Sequence, residues 1–160
     1  MDLLSYVRRI AVADQPARRE ALLALLREHD SPFVHYRDQP TEHRPENTVV
    51  RLGGDGPRLV IGAHYDSVPG STGANDNAAG VAVLLACCER SCTNYRAWPS
   101  TSPSSTWREV GLAASRAYLE RVGPENVLAM INLDVCGTGD TVLLGPRRHV
   151  EAGPLSGPLR

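Results

Sequence analysis

Lysine is absent from this chain: all 17 of its basic residues are arginine. Lysine codons are A-rich and arginine codons mostly G/C-rich, so the absence implies a very G/C-rich gene. Charge of either sign is not in excess. The formal net charge of -1 gives no reason to expect nucleic acid or an anionic membrane as partner. Long apolar runs are missing too. No stretch reaches the roughly 18 consecutive apolar residues of a membrane span, so no membrane contact is expected. Asp2 precedes the only apolar cluster near the start, and no small-residue cleavage site follows it, which is not the pattern of a signal peptide. The expected location is therefore the cytoplasm. Cysteine is sparse, and Cys87, Cys88, Cys92 and Cys136 fit neither a zinc ribbon nor a redox pair. Free thiols in a reducing compartment are expected.

With 160 residues, 42% of them hydrophobic and 22% charged, the chain has the length and composition of one soluble domain. Leu3, Leu4, Val7, Ile10 and Ala11 recur at helical spacing. After Asp14 as a cap and Pro16 in the first turn, Ala21, Leu22, Leu25 and Leu26 repeat it. Residues 30–47, rich in Pro, Asp, Glu and His, read as a connecting segment. Residues 48–52 read as a strand, Gly53-Gly54-Asp55-Gly56-Pro57 as a hairpin turn, and 58–63 as a strand buried on both faces. A polar, glycine-rich loop over 64–77 leads into a small-residue helix over 78–88. A further helix is expected at 113–122 and strands at 127–135 and 141–144. Strands alternating with helices indicate an α/β sheet with helices on its faces.

Four pieces can carry chemistry. His64 and Asp66 leave the carboxyl end of a buried strand, where open α/β sheets bind ligands. A neutral imidazole is a zinc ligand, and a carboxylate two residues on can orient it through its other ring nitrogen. Gly73-Ala74-Asn75-Asp76-Asn77 sets one acid in a tight turn before a helix, from which a carboxylate could bridge two cations. Glu109 precedes Gly111-Leu112, and Asp134 closes the run Met130-Ile131-Asn132-Leu133. Each has a plainer reading alone: a surface His-Asp pair, a helix cap at Asp76, a strand-end acid at Asp134, a solvated Glu109. Together they make the ligand set of a hard or borderline metal.

Two runs, Val60-Ile61-Gly62-Ala63-His64-Tyr65-Asp66-Ser67 and Gly73-Ala74-Asn75-Asp76-Asn77-Ala78-Ala79-Gly80-Val81-Ala82, resemble the core signature of the di-zinc aminopeptidases of the aminopeptidase Y and leucyl type. Glu109-Val110-Gly111-Leu112 with Ser115-Arg116-Ala117-Tyr118-Leu119, and then Ile131-Asn132-Leu133-Asp134, are similar to that family's next two motifs, in order. The resemblance implies a three-layer α/β/α sandwich around a mixed, mostly parallel sheet, of which this chain covers roughly the first half. It implies zinc, two ions in the family, and a peptide with a free N-terminus as substrate. His64 and Asp134 would bind one zinc, Asp76 would bridge both, Glu109 would bind the second, and Asp66 would orient His64.

The pattern breaks in three places. The family has two glutamates before Val-Gly-Leu, the first being the general base, and Arg108 occupies that position. An arginine stays protonated and is no base. The family's last histidine ligand lies further downstream than His149, and His29, His35 and His43 read as surface residues, so one retained zinc is expected. Residues 86–108 are aberrant: Pro and Ser stand where a central strand belongs, which argues against a strand there. One-base-shifted G/C-rich codons across 87–108 can encode a helix end, a turn and a strand closing on glutamate, so a frameshift is the expected cause. On this reading 1–145 is a partial zinc-peptidase domain and 146–160 a frayed tail. The leading function is an impaired zinc aminopeptidase, with an inactive peptidase-like interaction domain as the alternative and glutaminyl-cyclase-like acyl transfer third.

Overall fold

Asp2 and Asp14 start the first two helices in the same way. Each lies in extended backbone and accepts a hydrogen bond three residues on, Asp2 from the Ser5 N–H and Asp14 from the Ala17 N–H. These caps satisfy donors that a helix start leaves unpaired. The computed structural model describes residues 2–30, 33–37, 46–52, 56–94, 100–105 and 113–140. Helices α1 (Leu3–Ile10) and α2 (Gln15–Glu28) are followed by strands β1 (Phe33–Arg37), β2 (Glu46–Leu52) and β3 (Arg58–His64). A tight turn (Ala74–Ala78) leads into α3 (Ala79–Asn94), then β4 (Ser100–Ser105), α4 (Ala113–Val122) and β5 (Val127–Asn132).

The five strands form one sheet in the order β1-β2-β4-β3-β5. β1 and β2 are antiparallel, as are β2 and β4, whereas β3 runs parallel to both β4 and β5. The sheet is thus mixed as expected, but evenly split rather than mostly parallel. Alternation along β2 assigns its faces. Val50 packs with Tyr6, Ile10, Leu22, Leu25, Val81 and Leu85 of α1, α2 and α3. Its neighbour Val49 packs with Val60 and with Tyr118 of α4 on the other side. Helices therefore cover both faces, the three-layer arrangement of an α/β domain.

Four local expectations are corrected. Residues 30–47 contain β1, because Phe33 and Val34 find paired backbone on β2. The turn before β3 does not close a hairpin, since β4 lies between β2 and β3. β4 itself, Ser100–Ser105, takes the central position against which its proline and serines argue. A neighbouring strand on each side fixes its backbone, and that tertiary pairing outweighs intrinsic strand preference. α3 also runs on to Asn94, six residues past the expected end at 88. The expected strand at 141–144 and the tail from 146 lie outside the described residues.

Candidate metal centre

His64 is the last residue of β3, and Asp134 follows β5 by two residues. The last paired rung between these parallel strands is Gly62 with Asn132, and the Leu133 N–H donates to the Gly62 carbonyl at 2.7 Å. His64 and Asp134 therefore stand at the same level, two residues beyond that rung, at the carboxyl edge of adjacent strands. Asp76 reaches the same point from the turn before α3. His64 Nε2 lies 2.9 Å from Asp76 Oδ1 and 3.4 Å from Asp134 Oδ1. On the other side of the ring, Nδ1 lies 3.2 Å from Asp66 Oδ1. With Nδ1–H donating to Asp66, the Nε2 lone pair faces the two aspartates.

The ligand atoms of His64, Asp76 and Asp134 all lie within 4.8 Å of one another. Zinc–nitrogen and zinc–oxygen bonds of about 2.0–2.1 Å in a tetrahedron place ligand atoms about 3.3 Å apart. The separations of 2.9 and 3.4 Å bracket that value, so one imidazole and two carboxylates fit a single zinc ion. His64 is buried, Asp134 partly so, and Asp76 exposed, which leaves the centre open on the side of Asp76. Asp66 is also buried, so its link to the ring is sheltered from water.

Two residues quoted only as part of the motif prove to hold Asp76 in place. Asn77 is fully buried, donates through Nδ2 to the Leu133 carbonyl at 2.8 Å and accepts from the Gly80 N–H at 3.1 Å. Asn75 Oδ1 accepts from the Gly137 N–H at 2.8 Å. The asparagines on either side of Asp76 thus tie its turn to the segment that carries Asp134. Composition gave no sign of this, because the partners are main-chain groups about sixty residues away.

Of the expected site residues, the structure brings together His64, Asp66, Asp76 and Asp134. Glu109, Arg108 and His149 lie outside the described residues, as do His43 and the His35 side chain. His29 is not a solvated surface residue. It caps α2, and its Nε2 lies 2.9 Å from the Tyr6 hydroxyl, which in turn donates to Glu89 at 3.0 Å. Cys87 and Cys136 are exposed thiols and Cys88 is buried.

Comparison with known proteins bears on this geometry. The pattern of peptidase family M28 matches residues 47–154. The vacuolar membrane protease of Eremothecium gossypii is 30% identical over 115 residues, which are 72% of this chain and 11% of that protein. Among solved structures, a zinc aminopeptidase from Bacillus subtilis is 26% identical, with a TM-score of 0.53 over 56% of this chain and 24% of its own. Porphyromonas gingivalis glutaminyl cyclase has a TM-score of 0.67 at 19% identity, over 83% of this chain and 58% of its own, a likeness of fold. The chain spans about a tenth of the length of the curated relatives it matches. Their name overturns the expectation of a cytoplasmic protein, which rested on the first ten residues of a chain much shorter than theirs. Among the described residues no helix is long and apolar enough to cross a membrane. Its matched span runs across β2 to β5 and takes in all three converging side chains, so the chain belongs to peptidase family M28.

Proposed function

We propose that this chain carries the centre of a zinc-dependent aminopeptidase, acting on peptides with a free N-terminus and impaired by Arg108. The observation that carries the reading is the convergence of His64 Nε2 with the Asp76 and Asp134 carboxylates at the ends of two adjacent parallel strands. Zinc bound there supplies a Lewis acid, which polarises a peptide carbonyl and lowers the pKa of water. The protein's part is to orient the His64 ring through Asp66, with Nε2 toward the site, and to offset the cation with two carboxylates. The exposed face at Asp76 gives a substrate its approach. Glu109 belongs to the same proposal as ligand to a second zinc, and Arg108 as the residue that replaces the base. The proposal extends to 86–108 as a frame-shifted segment. Sequencing the coding DNA from codon 86 onward tests it, and an uninterrupted frame encoding the chain as written would reject it.

The activity test is an assay of the zinc-loaded chain on aminoacyl anilides and, separately, on a peptide beginning with glutamine. Slow anilide hydrolysis that disappears in His64→Ala is expected. Glutamine cyclisation without hydrolysis would move the chemistry to acyl transfer. Neither reaction, in a chain that binds zinc, would make it an interaction domain.

A further inference from the structure

Helix α2 buries a charge. Arg18 has none of its surface exposed, and its guanidinium is spread over main-chain carbonyls. Nε donates to the Tyr65 carbonyl, one terminal nitrogen to those of Thr72 and, at 3.3 Å, Val12, and the other to that of Gly73 at 2.9 Å. Burial pulls the guanidinium below its usual pKa, and the charges of Asp66 and Asp76 oppose that pull. An arginine stays charged under such a shift.

The placement of these acceptors is informative. Tyr65 lies between His64, which offers Nε2 to the metal, and Asp66, which orients it. Thr72 and Gly73 begin the approach to Asp76. One rigid fork therefore grips both ends of the loop that separates His64 from Asp76. Gly73 completes the clamp. Its carbonyl accepts from Arg18 and also from the Ala78 N–H at 2.9 Å, closing the turn around Asp76. Any Cβ on Gly73 would come within 2.9 Å of the Arg18 guanidinium.

From this arrangement we infer that Arg18 is a positioning residue for the metal centre, setting the reach of Asp76 to His64 from a helix that contributes no ligand. The inference rests on the metal-centre reading above. A lysine there keeps the charge but lacks the planar fork that serves four carbonyls at once. Groups that orient metal ligands typically change metal affinity by about 10- to 100-fold when altered.

The test is cobalt(II) and zinc titration of the full chain and of Arg18→Lys and Arg18→Met, read by calorimetry and by the visible bands of bound cobalt. Circular dichroism of each metal-free protein verifies its fold. A positioning role predicts a dissociation constant raised about 10- to 100-fold and shifted cobalt bands in folded Arg18→Lys. A lowered melting temperature with unchanged affinity and bands would reduce Arg18 to a structural residue and overturn the inference. Should neither variant fold, the Arg18 Nε–H resonance of the unaltered chain decides. Zinc is expected to shift it and slow its exchange, and an unmoved resonance would overturn the inference. Failure of the unaltered chain to take up either metal would instead remove the centre, and with it the role of Arg18.

Discussion

Gly73 adopts φ +53°, and a Cβ added to it would lie 2.7 Å from both the Asp76 carbonyl oxygen and Ser67 Cβ. Left-handed backbone costs an ordinary residue about 1–2 kcal/mol, and the clash adds to that. Gly73→Ala should therefore lower the melting temperature and weaken zinc binding together, whereas Gly70→Ala, also left-handed but with open space around it, should lose stability alone. Thermal unfolding beside calorimetric zinc titration separates the two. If Arg108 stands in place of a general base, as proposed, Arg108→Glu should raise anilide hydrolysis by about 10²- to 10⁴-fold with little change in KM. An unchanged rate would show that something other than the base limits this chain. At this scale the candidate ligands His64, Asp76 and Asp134 were legible in the sequence, because a histidine and acids at strand and turn ends make up a metal's ligand set. Arg18, Asn75 and Asn77 were not, since each acts on carbonyls or amides that only the folded chain brings near.

The joint between α1, α2 and α3 turns on Tyr6, buried against His29 of the α2 cap and Glu89 of α3. Burial, and then the hydrogen bond to Glu89, push the phenol from 10.0 up to about 12. Its folded value lies above the unfolded one, so the folded chain holds the proton more tightly. That stabilisation is complete below about pH 10 and fades as pH rises to about 12. Denaturant titrations across this range should show a steeper loss of stability for the unaltered chain than for Tyr6→Phe; parallel curves would contradict the account. The first two helices were readable in advance, because apolar spacing and the Asp14 cap are local signals. β1 and β4 were not. β1 sits within a polar stretch, and β4 is serine and proline, so both owe their form to neighbours in the sheet that no local window contains.

Across the whole molecule, β5 occupies one border of the sheet, and Leu128, Met130 and Ile131 on it are 47%, 44% and 47% exposed. Among the described residues no strand pairs with its outer edge. An apolar edge strand is a template for other chains. The chain should associate at micromolar concentration, and a Leu128→Lys, Ile131→Lys double variant should run closer to monomer mass in light scattering. A strictly monomeric unaltered chain would oppose this. The α/β class was visible in the alternation of helix and strand. The sheet order was not, because the insertion of β4 between β2 and β3 is a long-range choice that the turn before β3 conceals. A zinc site built by β3, β5 and the turn before α3 is tested by calorimetric zinc titration of the full chain beside His64→Ala and Asp134→Ala. Saturable binding by the unaltered chain, lost or weakened at least tenfold in both variants, is the predicted result. Equal binding by all three, or none by the unaltered chain, would contradict it.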